Sequence, residues 1–415
     1  MLPLIVPVIA LLAGVALLLL GTGLLNTLLA VRGMLEGYQD SSMGLIMSGY
    51  FAGFFLGTFL ALPLIQRMGH IRAFAFCAAL VSCSVLLHAL FIHPLAWGLS
   101  RVLTGTALVM LYTIIESWLN AQTPAEQRGR VFSVYMIVNL IALALAQQLL
   151  RLGDPADFSL FALAAILVSM SLLPVTWTRV RQPEVQDVQR LRLTTLYRTA
   201  PVALSAALLS GLAMGAFWGM GAMYAARLGL DDHGVATFVT SAILGGAVMQ
   251  FPLGRYSDHH DRRRVLAVVA GMAVLAALLI MVTQSGNWLM PAIALYGGMA
   301  FAVYPLAVAH LVDHLEGPDI LAGGSALLLV HGVGAATGPA LAGWLMTITG
   351  PGALPVYFAV VQGLLLLVAV RNLQGKVTES PESPAPFVPM VRTTPTVLEM
   401  LPEETEEVSP PQSGS

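Results

Sequence analysis

Charged residues are scarce in this chain of 415 residues, which is 57% hydrophobic and only 10% charged. A soluble fold of this size needs a largely charged surface, and so few charged side chains would leave much of it bare. Part of the charge also lies in a C-terminal tail, so the rest of the chain is poorer still. The composition therefore excludes a soluble globular protein and predicts an integral membrane protein.

Cysteine is also rare, since the chain has only Cys77 and Cys83, both in one apolar segment. Six residues along a helix rise about 9 Å, which is too far for a disulfide. No CxxC motif and no Cys/His spacing of a metal site is present, so we predict neither a metal nor a cofactor. The net charge of −2 argues against a nucleic-acid partner.

Long apolar runs make up most of the chain. A helix needs about 20 apolar residues to cross the hydrocarbon of a bilayer. The first run lacks a basic leading region and is too long for a cleaved signal peptide. Twelve runs meet the length criterion, approximately at residues 4–29, 43–65, 71–93, 95–120, 131–150, 158–177, 201–226, 234–253, 265–284, 288–312, 320–348 and 354–370.

The basic residues are distributed unequally between the two sides of these spans. In an alternating topology, sixteen of the 20 Lys and Arg residues lie on the side of the N-terminus and three on the opposite side. Arg101, the remaining one, lies inside a span. Cytoplasmic connections of membrane proteins are enriched in Lys and Arg. We therefore predict a multi-pass protein of the bacterial inner membrane with both termini in the cytoplasm.

The longest polar stretch between spans, "TRVRQPEVQDVQRLRLTTLYRT", divides them six and six. It predicts an N-terminal six-helix bundle at residues 1–177, a cytoplasmic linker at 178–199 and a C-terminal six-helix bundle at 200–371. The chain after Lys376 holds eight prolines and seven glutamates. Such a composition cannot form a core, so we predict a disordered cytoplasmic tail at 372–415. The alternative is a short docking segment in "TVLEMLPEE".

One short connection between spans eight and nine concentrates charge, "GRYSDHHDRRR". It resembles the signature G-x-x-x-D-R-x-G-R-R of the major facilitator superfamily. Gly254 matches the leading glycine, Asp258 the aspartate, and Arg262 and Arg263 the trailing basic pair. An aspartate at a helix end can pair with arginines or a neighbouring helix N-terminus, and such a pair would form an inner gate. The alternative is a cluster that only fixes membrane orientation.

The chain departs from this signature in both halves. His259 and Asp261 replace the usual arginine and glycine of the second copy. The first copy, "LPLIQRMGHIR", retains Arg67 and Gly69 but has no carboxylate at the aspartate position. The gate of the first half therefore cannot be an ion pair through that position.

Other segments extend the resemblance over residues 4–371. "SRVLTG" matches the R-x-x-x-G pattern of span four, and "IESWLN" and "RGRVFSVYM" are similar to the YcaD-like branch. "GVGAATGPALAG" is similar to the antiporter motif G-x-x-x-G-P, but it lies in span eleven rather than span five, so antiport is not implied.

The resemblance implies an all-α integral membrane fold, with twelve transmembrane helices in two six-helix bundles that are parallel repeats. It also implies transport by alternating access, and we expect a monomer whose partners are a small-molecule substrate, protons and the lipid bilayer.

Arg101 and Glu116 are the clearest charges inside predicted spans, where each charge costs about 3 kcal/mol on insertion scales. They lie fifteen residues apart on span four, about 22 Å of rise, so they cannot pair. The resemblance suggests that Arg101 acts in proton movement; it could also contact an anion, or extend to the outer interface. Glu116 could carry protons, or pair with inner arginines such as Arg128 or Arg130, and we favour the pairing.

Three uncharged or titratable side chains are further candidates for the substrate and proton pathway. Asn26 and Gln147 lie on spans that line the cavity in the resembled family. His331 precedes the glycine-rich part of span eleven and can titrate near neutral pH. A lone histidine in a membrane more often makes a satisfied hydrogen bond between helices. Both interpretations of His331 stay open.

Glycines recur at every fourth position on spans two and seven, in "GYFAGFFLG" and "GLAMGAFWGMG". Small residues at this spacing allow two helices to pack closely. The two stripes are either sliding surfaces of a transporter or static packing.

These observations favour a secondary active transporter of a small solute, coupled to protons, over an enzyme, for which no catalytic arrangement of residues is present. Few fixed charges in the predicted cavity favour export of amphipathic compounds slightly over metabolite uptake. A transporter-like sensor or scaffold that acts through its tail is the alternative.

Overall fold

A computed structural model describes residues 2–177, 193–284, 286–315 and 319–373, together with Phe387, Met390 and Thr394. The predicted linker therefore lies largely outside the described residues, as does most of the tail. The α-helices of the described chain, numbered in chain order, are α1 Leu2–Leu35, α2 Asp40–Met68, α3 His70–Leu90, α4 Pro94–Gln122, α5 Arg128–Gln148, α6 Ser159–Met170, α7 Leu172–Trp177, α8 Leu193–Thr199, α9 Pro201–Arg227, α10 Asp232–Ser257, α11 Arg262–Val282, α12 Leu289–Val312, α13 Asp319–Thr349 and α14 Ala353–Leu373.

The predicted number of membrane spans is confirmed in the described parts of the chain, where twelve helices are long and apolar enough to cross a membrane. Helices α6 and α7 together form the sixth span, Ser159–Trp177. Several helices extend a few residues beyond the predicted apolar runs. Polar residues such as Asp40 and Arg262 begin helices because a helix continues past the hydrocarbon into the interface, where charge is tolerated.

Only Gly69 separates α2 from α3. Its φ of 77° lies in the region that residues with a side chain rarely adopt. This conformation explains why the first copy of the signature retains a glycine here although it has lost its aspartate.

The two halves of the chain repeat one packing pattern. In the N-terminal half, α1 packs on α5 and α6, and α2 packs on α4. In the C-terminal half, α9 packs on α13 and α14, and α10 packs on α12. The halves meet through two further equivalent pairs, α2 with α13 and α5 with α10. Each predicted six-span bundle is thus one structural repeat.

Glycine permits the closest helix contacts inside each half. A side chain on Gly105 of α4 would overlap the backbone of Tyr50 in α2. The equivalent contact in the second half brings Gly297 of α12 against the backbone of Ala242 in α10. The same position in both repeats therefore carries a glycine for the same reason, which is the approach of two backbones.

The two glycine stripes noted in the sequence also pack inside one half. Gly53 of the α2 stripe lies against the backbone of Val102 in α4. Gly215 of the α9 stripe lies against the backbone of Ala335 in α13. Because both partners belong to the same half as the stripe, these two contacts favour static packing. Gly219 of the α9 stripe also meets Met47 of α2, so part of this stripe faces the other half.

Candidate functional site

The two halves are in close contact at the end of the bundle that carries Asp40, which we call the Asp40 end. A side chain on Gly44 of α2 would overlap the backbone of Pro339 in α13, and Gly343 lies one turn further on. Nε of Arg227 donates to Oδ1 of Asp40 at 2.9 Å. These contacts join α2 of the first half to α9 and α13 of the second.

The second pair of facing helices closes the same end. Gln148 of α5 donates to the hydroxyl of Thr240 in α10 at 2.6 Å. Arg151, just after α5, donates to the hydroxyl of Thr237 at 2.7 Å. The contacts of α5 with α10 and of α2 with α13 therefore close the Asp40 end on both sides of the molecule.

A central cavity of about 120 Å³ lies between the halves on the other side of this closure. Its lining residues, within the described chain, include no Asp, Glu, Lys or Arg. Aromatic rings dominate the lining, among them Tyr50, Phe51, Phe54, Trp218, Phe301 and Tyr304. Such a wall can pack against a planar or apolar molecule of low charge.

A few polar groups lie on the α9 and α13 side of the cavity. The Ser210 hydroxyl is buried and has no hydrogen-bond partner among the described residues. Nδ1 of His331 lies 3.2 Å from the carbonyl oxygen of Ala207, and its ring centroid lies 4.4 Å from that of Tyr304. His331 therefore lines the cavity and also makes the interhelical hydrogen bond of the alternative interpretation.

Asn26 and Arg101 are brought together next to the cavity. Nη2 of Arg101 donates to Oδ1 of Asn26 at 2.8 Å, and Nδ2 of Asn26 donates to the carbonyl oxygen of Trp218 at 2.7 Å. The guanidinium carbon of Arg101 also lies 4.5 Å from the centre of the Tyr50 ring. Arg101 is only 2% exposed, so its side chain points into the protein and not to the membrane interface.

Gln147 is buried, but it does not line the described cavity. Its Oε1 accepts a hydrogen bond from the hydroxyl of Thr27, and its Nε2 donates to the carbonyl oxygen of Leu143 at 3.0 Å. The side chain therefore joins α5 to α1. Its neighbour Gln148 makes the contact across the halves instead.

Glu116 is fully buried in α4, with a hydrogen-bond environment that the sequence did not indicate. Its Oε1 accepts from the Tyr135 hydroxyl at 3.2 Å, and its Oε2 accepts from the Thr394 amide at 2.9 Å and from the Thr394 hydroxyl. No ion pair between Glu116 and an arginine occurs in the described chain.

The favoured pairing of Glu116 with Arg128 or Arg130 is therefore wrong. Helix α5 presents Tyr135 to Glu116, and Arg128 lies seven residues earlier, about 10 Å along the helix axis. Arg130 is exposed at the surface, whereas the Glu116 carboxylate is fully buried.

In the charged connection between α10 and α11, Arg262 pairs with the expected Asp258, but its closer and more buried acid is a different residue. Nε of Arg262 lies 2.5 Å from Oδ2 of Asp313, at the end of α12. The distance from Arg262 to Asp258 is 3.8 Å, and Arg263 pairs with Asp261 at 3.0 Å. The charges of the signature thus join α11 to α12 inside the second half.

Asp313 was not among the sequence candidates. A signal for it exists, because it directly follows span ten in "HLVDHLEG" and alternation of the spans places it on the side of the basic connection. In the first half, Arg67 is exposed and makes no ion pair within the described residues.

The three described residues of the tail lie against the helical body. The Phe387 amide donates to Oδ1 of Asp258 at 2.8 Å, and the Phe387 ring packs on Gly254. Met390 lines the central cavity, and Thr394 bonds to Glu116. Phe387 and Asp258 meet at one end of the bundle, which we call the Asp258 end. At these three positions the tail contacts the helical body, which its composition did not predict.

Known proteins are similar to this chain over most of its length. The sequence profile of the Major Facilitator Superfamily matches residues 11–204 and again 203–401. The uncharacterized MFS-type transporter YcaD of Escherichia fergusonii is 26% identical over 368 residues, which are 88% of this chain and 96% of that protein.

Two solved structures have a similar fold. A mutant of the nucleoside transporter NupG gives a TM-score of 0.75 at 15% identity, and the match covers 88% of this chain and 99% of NupG. The fucose:proton symporter FucP of E. coli gives a TM-score of 0.56 at 17% identity, and this match covers 90% of this chain and 100% of FucP.

Proposed function

Because the chain is a transporter of the major facilitator superfamily, in its YcaD-like branch, we propose that it carries a small organic solute of low charge across the bacterial inner membrane in exchange for or together with protons. It is a multi-pass transport protein and not an enzyme. The observation that carries the proposal is an aromatic cavity between two structural repeats that are closed against each other at one end.

Alternating access explains how such a cavity would move a solute. The contacts of α2 with α13 and of α5 with α10 close the Asp40 end, and rocking of the repeats would open them. The distribution of Lys and Arg supports a cytoplasmic location of the Asp258 end and of both termini. In this orientation the described conformation is closed towards the periplasm. The described cavity is lined by residues of one chain, which is consistent with the proposed monomer.

The lining supports a substrate with an aromatic or otherwise planar apolar face. Tyr50, Phe54 and Trp218 offer ring faces and edges, while Ser210 and His331 offer hydrogen bonds to one polar edge of the solute. The absence of Asp, Glu, Lys and Arg from the described lining disfavours a strongly charged solute. NupG and FucP, whose names refer to a nucleoside and to fucose with a proton, support a small organic solute and proton coupling.

Glu116 is the proposed site of proton binding. It is a carboxyl group buried in α4, and two of its partners are the hydroxyl groups of Tyr135 and Thr394, which can donate to a carboxylate or accept from a carboxylic acid. The proposed direction is export of amphipathic compounds, because an aromatic cavity of low charge suits them.

Transport in reconstituted vesicles tests the proposal. Metabolite profiles of cells with and without the protein would first identify a solute, whose flux is then followed under an imposed pH gradient. We expect flux that responds to the gradient in the wild type and loses this response in Glu116→Gln. A solute flux that ignores the gradient in the wild type would contradict proton coupling.

Binding can be followed without flux, because Trp218 lies in the cavity wall. Planar, uncharged aromatic compounds should quench its fluorescence more than sugars of similar mass do, and Trp218→Phe is the control that removes the signal. Quenching by charged polyols alone would overturn the proposed substrate class.

A sensor or scaffold that acts through a free tail is less consistent with the described contacts. The tail residues Phe387, Met390 and Thr394 bind the body of the same chain, so they are not available to a partner in this conformation.

A further inference from the structure

The tail joins the two halves at the Asp258 end. The Phe387 amide bonds to Asp258 in α10 of the second half, at 2.8 Å. The Thr394 amide bonds to Glu116 in α4 of the first half, at 2.9 Å. The tail segment that carries Phe387, Met390 and Thr394 therefore bridges the halves opposite the closed Asp40 end.

The body offers this segment a site of matching shape. Gly254 belongs to α10, and the three atoms nearest to a Cβ built on it all belong to the Phe387 ring. The glycine of the signature thus leaves the space that an aromatic side chain of the tail fills. This contact gives Gly254 a role beyond the packing of helices.

The middle of the segment enters the solute pathway itself. Met390 is 8% exposed and is one of the residues that line the central cavity. Thr394, 5% exposed, directs both its amide and its hydroxyl to Glu116. The segment therefore places Met390 in the solute site and hydrogen-bonds the Glu116 carboxyl group through Thr394. A free tail would expose Met390 and would gain none of these hydrogen bonds.

We propose that this tail segment is an intramolecular inhibitor, which occupies the cavity from the Asp258 end and holds the two halves in the described conformation. The inhibition is competitive with solute, because Met390 and the solute share one cavity. The halves cannot close at the Asp258 end until the segment leaves, so each transport cycle requires its release.

Access of a thiol reagent to the cavity tests this proposal in the full-length chain. Cys77 and Cys83 are first replaced by alanine, and Leu328→Cys then places one thiol in the cavity wall. The reagent is a charged maleimide, and its rate of reaction is measured by intact-protein mass spectrometry. Phe387→Asp with Met390→Asp should release the tail, since burial of a carboxylate is costly, and should raise the rate at least tenfold.

Matched variants separate release from unfolding. Phe387→Leu with Met390→Leu keeps the tail apolar and should leave the rate near the wild-type value. A thiol at His259→Cys, which is exposed at the same end, should react equally fast in all backgrounds. Equal reaction rates at Leu328→Cys with and without the two aspartates would overturn the proposal. It would also be overturned if the two aspartates raised the reaction rate at His259→Cys as much as at Leu328→Cys.

Gly254→Ala provides an independent arm, because its methyl group takes the space of the Phe387 ring. Gly254→Ala alone should raise the rate of reaction at Leu328→Cys. Phe387→Ala removes the ring from that space, so adding Gly254→Ala to Phe387→Ala should not change the rate further. Additive effects of the two substitutions would contradict direct contact between Gly254 and Phe387. These measurements follow access and not flux, so their outcome is independent of proton coupling and of the identity of the solute.

Discussion

Asp40 and Arg227, which are 187 residues apart in the sequence, form an ion pair of 2.9 Å between the two halves of the molecule. Asp40 begins α2, and Arg227 ends α9. The side chain of Asp40 is 9% exposed and that of Arg227 is 34% exposed. The pair therefore belongs to the closure of the Asp40 end, where water has partial access to the arginine and little to the carboxylate.

Arg227→Gln should weaken this closure. Removal of one partner of a partly buried pair is expected to cost about 1 kcal/mol of the closed state, a roughly fivefold change in the ratio of closed to open molecules. Spin labels at Glu36→Cys and His233→Cys would measure the distance across the end. Arg227→Lys is the control because it keeps the positive charge. Identical distance distributions in Arg227→Gln and the wild type would contradict the assigned role.

Gly105→Ala should destabilise the N-terminal half. The added methyl group would overlap the backbone of Tyr50, so α2 and α4 must move apart, at a cost of about 1–3 kcal/mol. Gly98→Ala in the same helix meets no atom within 4 Å and should be neutral or slightly stabilising, because alanine favours a helix. Thermal unfolding in detergent compares the two. A larger loss for Gly98→Ala would show that the described packing of α4 is wrong.

The ion pairs at the Asp258 end should differ in their importance for stability. The side chains of Arg262 and Asp313 are 3% and 6% exposed, whereas those of Arg263 and Asp261 are 13% and 24% exposed. Asp313→Ala removes one partner of a buried pair and should cost about 3–5 kcal/mol.

The matched change Asp261→Ala removes a more exposed pair and a helix cap, and should cost about 1–2 kcal/mol. Denaturant titration of both variants measures the difference. Equal losses would mean that burial does not distinguish these pairs.

Asn26→Leu should destabilise the contact between the halves beside the cavity. The substitution removes the hydrogen bonds of Asn26 with Arg101 and with the Trp218 carbonyl, and we expect a loss of about 2–4 kcal/mol. Asn26→Asp keeps an acceptor for Arg101 and removes only the donor to Trp218, so it should lose less. Thermal unfolding ranks the variants, and a more stable Asn26→Leu would exclude this network as a structural element.

The candidate residues of the pathway show which features a sequence can indicate and which it cannot. Arg101 and Glu116 were recognisable because a charge inside an apolar run is costly and must have a partner. Their partners, Asn26 for Arg101 and Tyr135 for Glu116, lie on other helices. To identify these partners, one must know how each helix is rotated about its own axis. Apolar runs without a clear polar face do not encode this orientation.

The signature connection illustrates the same division. Its arginines and its place after span eight were evident, but the choice of Asp313 over Asp258 as the main partner of Arg262 depends on how close α11 lies to α12. The docked tail was not predictable either. Its composition is that of a disordered segment, and the contacts of Phe387, Met390 and Thr394 depend on helices of both halves.

The sequence by itself determined the membrane location, the twelve spans, the two repeats and the family. These properties follow from local quantities, namely the length of apolar runs, the side on which basic residues fall and short motifs. The tertiary structure alone decided which end is closed, which aromatic side chains line the cavity and what bonds to Glu116. These properties depend on contacts between residues far apart in the chain, whose energies are set by the assembled packing of helices.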